Sequence, residues 1–455
     1  MIILRKIRNI IAVMVCKILI FISKLLGKKG SSGPGSIAMK ISPTILRDLS
    51  SQLKGPVVMV CGTNGKTTTN NLLYSLFKSK GKRVVCNNVG ANMLPGVACA
   101  FIDSASVFAN LKADCASIEC DEASLRRVVP HVKPDIVVIT NLFRDQLDRY
   151  GEIEQTLGLL DEALCMTKDT LLVINGDDPV SVRLSYGRKC IFYGVGEDCA
   201  LLQSDSKEGR FCLDCGNELS YNYNHYSQLG DYYCKNCGFK RPELDYVAKN
   251  VNLSNGLKFD IDGKEHITLS LNYRGFYNIY NILASICAFA QSGYSTDGIG
   301  KVFDEYKPQI GRMESFDVRG KQIILNLAKN PAGFNQAIST VMSDENKKDV
   351  LIAVNDMPSD GRDVSWLWDI DFEALKSENV GRIYLSGTRK YDLAVRLEYA
   401  GFENFTVCDT DKDSLSDIIS KSEKVCYMLV NYTVLFDVQT SLKVLSGQNE
   451  EGIGK

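Results

Sequence analysis

The run Val57-Val58-Met59-Val60-Cys61 leads straight into Gly62-Thr63-Asn64-Gly65-Lys66-Thr67-Thr68, and an amphipathic helical pattern follows. Each residue type in that turn meets one need of a bound polyphosphate. Gly62 and Gly65 permit the tight turn that aims backbone N–H groups at phosphate oxygens, and the helix behind adds its positive end. The Lys66 ammonium can reach the β- and γ-phosphates, and the Thr67 hydroxyl can ligate Mg2+. Val60 stands where the longer form of such loops has a glycine, so this is a shorter variant. Strand, turn and helix in that order make ATP binding the expected chemistry, with residues 62–68 as the nucleotide-contacting set.

A second cluster has metal-ligand spacing. Cys212-Leu213-Asp214-Cys215 and Cys234-Lys235-Asn236-Cys237 are two C-x-x-C knuckles separated by 18 residues, each followed by glycine. Four thiolates so spaced suit tetrahedral Zn2+ and leave no open position, so the site is expected to be structural. Residues 207–242 around them lack aliphatic periodicity, and metal binding is expected to supply much of their folding energy. Ribbons of this type often bind nucleic acid, but here the few bases are offset by acids and the whole chain has a formal net charge of −1. No nucleic-acid partner is expected. Most of the remaining cysteines, such as Cys61, Cys86, Cys99, Cys287 and Cys426, sit singly in apolar runs as small hydrophobes, which points to a reducing cytoplasm.

These groups need a scaffold. The chain's 455 residues, 45 % hydrophobic and 24 % charged, are ordinary for a soluble protein of two or three domains. Short apolar strands are predicted at 57–61, 83–86, 115–118, 136–140 and 171–174, with helices at 67–79 and 152–166 between them. That alternation predicts an α/β fold with a largely parallel sheet covered on both faces. An apolar helix is predicted at 279–291, and further strands near 321–327, 349–354, 382–386 and 425–429 form a smaller α/β domain. The expected division is an amphipathic helix and linker at 1–36, an ATP-binding domain at 37–310 with the ribbon inserted at 207–242, and a C-terminal domain at 311–455.

The first 30 residues contain no acid and no charge-free run approaching the ~20 residues that span a bilayer. On a helix, Lys6, Lys17, Lys24 and Lys28 fall in one stripe with apolar residues around the remainder. Two readings stand: a helix packed on its own protein, or one lying in the membrane interface. GKKGSSGPGS (27–36) reads as a flexible connector.

Further motifs fall in order along the chain: SIECDEASL (117–125), TNLFRDQLDRYGE (140–152), NGDDP (175–179), GFYNIYN (275–281) and GRME (311–314). Together with GTNGKTT they resemble the Mur ligases and folylpolyglutamate synthases. That resemblance implies a Mur-ligase-like ATPase domain in which Glu119 binds Mg2+ alongside Thr67. It also implies that Asn141 lies near the phosphates and metal, that Asn278 and Asn281 line the adenine pocket, and that Arg312 contacts nucleotide. The competing reading makes Glu119 a strand-end charge, Asp121 and Glu122 a solvated turn, and the two asparagines mere helix braces. Asp145 and Asp148 read as structural acids. Tyr277 replaces the family's usual histidine, and Asn326 replaces an aspartate that touches the ribose.

A core of this kind interrupted by a four-cysteine ribbon narrows the resemblance to the ligase-like subunits of lipid II isoglutaminyl synthases. AVNDMPSDGRDVSWLWDIDFE (353–373) agrees. The implied activity is ATP-dependent amidation of the D-glutamate α-carboxylate in the lipid II stem peptide, with Lys66 and Glu119 as catalytic groups. Free ammonia is scarce at neutral pH, and His131, His225 and His266, the three histidines present, stand in scattered contexts. The resemblance therefore implies a GatD-type glutaminase as partner in a heterodimer, bound by the C-terminal domain. It further implies that an aspartate of this chain completes the partner's Cys–His pair. Asp356, Asp360 and Asp363 are the candidates, and Asp360, in an Asp-Gly turn on a surface loop, is preferred. Trp366 and Trp368 suit either an interface or the core. The implied place of work is the inner face of the cell membrane. Two alternatives remain: an amino-acid ligase of the same fold acting alone, and a nucleotide switch or nucleic-acid adaptor built on the ribbon.

Overall fold

Short β-branched runs that are apolar at every position have no polar face to turn to water, so they form strands buried on both sides. The computed structural model describes residues 2–26, 30–87, 91–144, 153–201, 209–254, 256–272, 274–306 and 311–447. Asp145, Asp148 and Lys28 lie outside them. Such runs make Val57–Cys61 (β1), Val84–Cys86 (β2), Cys115–Glu119 (β3), Ile136–Ile139 (β4), Leu171–Asn175 (β5) and Cys190–Val195 (β6). Ser220–Tyr226 (β7) and Leu229–Tyr233 (β8) form a separate hairpin, and Tyr246–Asn252 (β9), Leu257–Asp262 (β10) and Ile267–Leu271 (β11) follow. The nine-stranded sheet has the order β11-β10-β9-β6-β5-β4-β1-β3-β2. It is parallel from β2 to β9 and antiparallel through β10 and β11. The antiparallel meander alternates buried and exposed positions, the mark of a sheet with one wet face.

Helices cover both faces. Lys66–Ser79 and Tyr277–Gln291 share one core with Val58, Val60 and Val138. Ile45–Ser50 and Leu94–Asp103 pack on the other side with Met59, Ile118 and Val137. A second sheet has the order β12-β13-β17-β14-β15-β16, built from Glu314–Val318 (β12), Lys321–Leu327 (β13), Lys348–Ala353 (β14), Val380–Ser386 (β15), Thr406–Val407 (β16) and Val425–Val430 (β17). Only β12 runs antiparallel to its neighbour.

Two expectations need correction. The connector at 27–36 is not flexible throughout: a helix, Gly33–Ile41, begins inside it and straddles the 36/37 boundary. Pro34 suits a first helical turn, and Pro34, Gly35 and Ala38 are buried, with Gly35 close against Pro95 and Cys99 of the Leu94–Asp103 helix. Burial outweighs the Gly/Ser composition. Nor is the inserted segment built only around its cysteines, because the inner end of the β7–β8 hairpin, residues 224–230, is buried.

The first helix, Ile2–Leu25, packs on its own protein along one face, as the first of its two readings expects. Asn9, Ala12, Val13, Cys16 and Ile20 are buried on one face, and Arg5 and Asn9 bond Asp48. The opposite face exposes Ile3 (78 %), Ile7, Ile11, Met14, Ile18, Phe21 (63 %) and Leu25 (71 %). At 100° per residue Lys6, Lys17 and Lys24 flank that apolar strip on one side and Arg8 on the other. Among the described residues, no helix is long and apolar enough to cross a membrane.

His225, within the buried hairpin end, is walled by the rings of Tyr223, Phe276 and Tyr280, and among the described residues neither ring nitrogen has a side-chain hydrogen-bond partner. Burial, helped by the Arg241 charge, pulls its imidazolium pKa down to about 4. Its folded value lies below the unfolded ~6.5, so its stability contribution is complete above pH ~6.5 and is lost as pH falls toward 4. Asp177, pushed up to about 6 by burial, acts in the opposite sense nearby. The expected result is that His225→Phe, with Asp177 intact, removes the His225 share of the acid instability. Urea unfolding of both proteins between pH 4 and 7 checks this, and an unchanged pH slope would refute it.

Candidate active site

β1 delivers the loop at the carboxyl edge of the parallel strands, where α/β sheets open a crevice. Gly62 (φ 121°) and Gly65 (φ 84°) take left-handed conformations. A side-chain carbon on Gly62 would come within 2.3 Å of Thr140 Oγ1, and one on Gly65 within 2.1 Å of Asn281 Oδ1. Neighbouring segments therefore press on the loop wherever glycine leaves room. Asn141 clamps it: Asn141 Oδ1 accepts from Asn64 N (2.9 Å), and Asn141 Nδ2 donates to Asn64 O (3.1 Å). Thr63 N donates to Asn141 O (2.8 Å). Expected beside the phosphates, Asn141 has both side-chain polar atoms on the loop's own backbone.

Lys66 and Thr67 open the Lys66–Ser79 helix, and Thr68 continues the same turn. Lys66 is buried; its Nζ donates to Glu122 Oε1 (3.0 Å), to Thr63 O (3.2 Å) and to Gly62 O. Glu119 ends β3 and is 3 % exposed. Its Oε1 accepts from Asn92 Nδ2 (3.0 Å), while Oε2 is buried with no hydrogen-bond partner among the described residues. An orphaned buried carboxylate oxygen beside a phosphate loop fits a divalent cation.

Asp121 and Glu122 do not form a solvated turn. Both are 4 % exposed, and Glu122 is the buried counter-charge of Lys66. Burial pushes the Glu122 carboxyl up, and the Lys66 charge opposes that shift. Sequence reasoning missed Glu122, because its place against Lys66 follows from the pairing of β3 with β1, which chain order alone does not give.

Asn281 is buried with Oδ1 against Gly65, and its Nδ2 donates to Asn278 Oδ1 (3.2 Å); Asn278 Nδ2 donates to Arg274 O (2.8 Å). Arg312 follows Gly311, and its charge acts on the buried hydroxyls of Tyr277 and Tyr306. Of these residues Asn281 touches the loop, at Gly65, and Asn278 joins it through the amide pair. Asn326 lies on β13, where its Oδ1 accepts from Met313 N (3.4 Å). Asn330 reaches the loop directly: its Nδ2 donates to Asn64 Oδ1 (3.2 Å), and Asn64 Nδ2 donates to Asn330 Oδ1 (3.4 Å). This amide pair links the second sheet's segment to the phosphate loop.

At the ribbon, the four thiol sulfurs lie within 4.8 Å of one another. Cys212 and Cys237 are 3.5 Å apart, as are Cys215 and Cys234. Sulfurs around a tetrahedral Zn2+ sit ~3.8 Å apart, so the set fits that ion.

Asp360 is not on an exposed loop. It is 4 % exposed, and its carboxylate accepts from Thr433 N (2.9 Å) and Thr433 Oγ1 (2.5 Å) at the start of the Tyr432–Leu445 helix. Asp356 pairs with Arg389 (2.8 Å) and Thr388 (2.7 Å), and Asp363 Oδ1 accepts from Ser365 N (2.8 Å). Trp366 packs on Phe334, whereas Trp368 is half exposed against Tyr399.

Residues 60–236 match the Mur ligase middle domain, and residues 327–435 match the MurT ligase C-terminal domain. By structure the chain is similar to a pseudomurein peptide ligase type C from Methanothermus fervidus (TM-score 0.69, 24 % identity, covering 87 % of this chain and 80 % of that one). It is also similar to the MurF ligase of Thermotoga maritima in complex with ADP (TM-score 0.65, 17 % identity, 91 % and 85 % covered). These likenesses show the Mur ligase fold. By sequence it is 37 % identical, over 86 % of this chain and 87 % of the relative, to the Staphylococcus aureus (strain COL) lipid II isoglutaminyl synthase (glutamine-hydrolyzing) subunit MurT. The Streptococcus pneumoniae (strain ATCC BAA-255 / R6) protein of the same description is 34 % identical over 93 % of this chain and 94 % of its own length. Matched at 34–37 % identity over most of its length by these relatives, and by the MurT C-terminal model over residues 327–435, the chain belongs to the MurT family.

Proposed function

We propose that this chain is the ATP-consuming subunit of a glutamine-dependent amidotransferase that converts the D-glutamate α-carboxylate of the lipid II stem peptide to the amide. The observation that carries the reading is the buried trio of Lys66, Glu122 and Glu119 beneath the 62–68 loop, with one Glu119 oxygen unpartnered among the described residues. A carboxylate is a poor electrophile. Its oxygen attacks the γ-phosphorus of ATP, releasing ADP and forming an acyl phosphate; ammonia then adds to the acyl carbon, loses a proton and expels phosphate. Lys66 offsets charge on the transferring phosphoryl group, and the loop's N–H groups orient the polyphosphate. Thr67 and Glu119 would hold Mg2+, which supplies further charge neutralisation. Asn278, Asn281 and Arg312 hold the nucleoside end, and Cys212, Cys215, Cys234 and Cys237 hold a structural Zn2+.

In this reading residues 37–310 bind ATP and 311–455 bind a GatD-type glutaminase, with Asp360 positioning the partner's histidine. The chain works in the cytoplasm at the inner membrane face. The test is co-purification with that glutaminase and incubation with lipid II, ATP and glutamine. The expected product is lighter by ~1 Da, the change from OH to NH2; absence of ATP- and glutamine-dependent product would overturn the reading.

The first helix supports work at a bilayer, since its outward face is apolar between flanking bases and it carries no acid. Binding to vesicles containing phosphatidylglycerol is expected to exceed binding to phosphatidylcholine alone. Lys6→Gln and Lys24→Gln are each expected to weaken it about fivefold, and Phe21→Asp to reduce it further. Co-sedimentation measures this; equal binding by wild type and Phe21→Asp would reject the membrane contact.

A further inference from the structure

The inserted ribbon reaches the segments that support the phosphate loop. Its hairpin runs inward from the thiol cluster, and the turn joining β7 to β8 (Tyr226, Ser227, Gln228 and Leu229) is buried in the ATP-binding domain. Gln228 is completely buried. Its Nε2 donates to Leu142 O (2.8 Å) and to Asp178 Oδ1 (3.2 Å), while Leu142 N donates to Asp178 Oδ2 (2.8 Å). Leu142 is thus gripped on both backbone polar groups, one by the NGDDP turn and one by the ribbon. The residues on either side of it shape the loop. Asn141 clamps Asn64, Phe143 N donates to Thr63 Oγ1 (3.0 Å), and Thr63 Oγ1 can donate back to Phe143 O (3.1 Å). The Phe143 ring lies 6.0 Å from that of Tyr226.

A second strut leaves the ribbon close to its last knuckle. Arg241 Nη1 donates to Asp177 Oδ1 (3.1 Å), and Tyr280 OH donates to Asp177 Oδ2 (2.8 Å). Tyr280 directly precedes Asn281, whose Oδ1 occupies the space beside Gly65. The ribbon therefore touches the loop's supports from two directions, behind Thr63 and Asn64 and behind Gly65.

We propose that the hairpin end is a positioning element of the ATP site, with Gln228 as its principal residue. It fixes the 141–143 segment in the register that shapes residues 62–65. The proposal rests on the reading of residues 62–68 as the ATP loop. Phosphate cradles depend on backbone N–H groups held to within ~0.5 Å. A buried Leu142 carbonyl deprived of its donor would recover a partner by shifting, and Asn141 and Phe143 would shift with it. The second C-x-x-C knuckle begins six residues after Gln228 and closes the base of the same hairpin with the first, which gives the ribbon a role beyond its own folding.

The test is nucleotide affinity of the full chain in complex with its glutaminase, by calorimetric titration with ADP and Mg2+. Wild-type binding is read first, because its absence would fault the ATP assignment and not the brace. Gln228→Met keeps the side-chain length but cannot donate, and is expected to weaken ADP about five- to tenfold. The KM for ATP should rise similarly, with kcat and the KM for glutamine little changed. Tyr280→Phe, which removes only a hydroxyl from the second strut, is expected to weaken ADP a further measurable step from wild type, about two- to fivefold, and keeps the test alive should Gln228→Met not fold. Arg210→Ala, which breaks the exposed Arg210–Glu218 pair (2.7 Å) on the outer ribbon, is expected to bind normally. Wild-type affinity in both Gln228→Met and Tyr280→Phe, or an equal loss in Arg210→Ala, would overturn the proposal.

Discussion

Lys66→Ala is expected to abolish ATP-dependent amide formation, with a loss of about a thousandfold or more when lipid II, ATP and an ammonia source are all supplied. One preorganised donor at a developing charge is commonly worth 10²–10³ in rate, and Lys66 is a full cation inside a buried loop. The same change also strips Glu122 of its buried counter-charge, which costs about 3–5 kcal/mol unless Glu122 takes up a proton. Activity alone would therefore confound chemistry with stability. The double variant Lys66→Ala/Glu122→Gln separates them: the thermal midpoint is expected to recover, because no unpaired charge is left, while activity stays lost. Recovery of amidation in the double variant would mean that Lys66 only neutralises Glu122, and the phosphoryl-transfer role would fall.

Asp360→Asn should divide the two half-reactions. Glutamine-dependent amidation is expected to drop by up to about 10⁴, the loss seen when the orienting acid of a nucleophile–histidine pair loses its charge. Amidation driven by added ammonium is expected to remain near wild type. Asparagine suits this test because it keeps an acceptor for Thr433 N, preserving the start of the Tyr432–Leu445 helix at a cost of tenths of a kcal/mol. Loss of the ammonium reaction as well would show that Asp360 serves the fold. A selective loss in Asp356→Asn or Asp363→Asn instead would move the role to that residue.

What could be read along the chain was whatever depends on local spacing. The strand at 57–61, the two-glycine turn and the helix opening at Lys66 are successive, so their order alone specifies a phosphate cradle. The two C-x-x-C knuckles are equally local, and the structure brings their sulfurs within ligand range. The parallel strands were legible because continuous apolar runs have no alternative to double burial. Asn278 and Asn281 were picked out by the GFYNIYN motif and its resemblance, and the structure joins them through an amide hydrogen bond.

Burial of polar residues was not legible, because it depends on what a distant segment brings. Glu122 is enclosed only because β3 pairs with β1 and carries it to Lys66; in sequence it is one of two acids in a turn. Asp360 lost its exposed loop to the first turn of the Tyr432–Leu445 helix, more than seventy residues later. The Gly/Ser composition of 33–36 gave way to packing against Pro95. The first helix needed the fold to say which stripe is covered, since apolar residues run almost all round it. Local chemistry is set by neighbours in the chain, whereas the dielectric and the partner of each charge are set by neighbours in space, and only the folded chain supplies those.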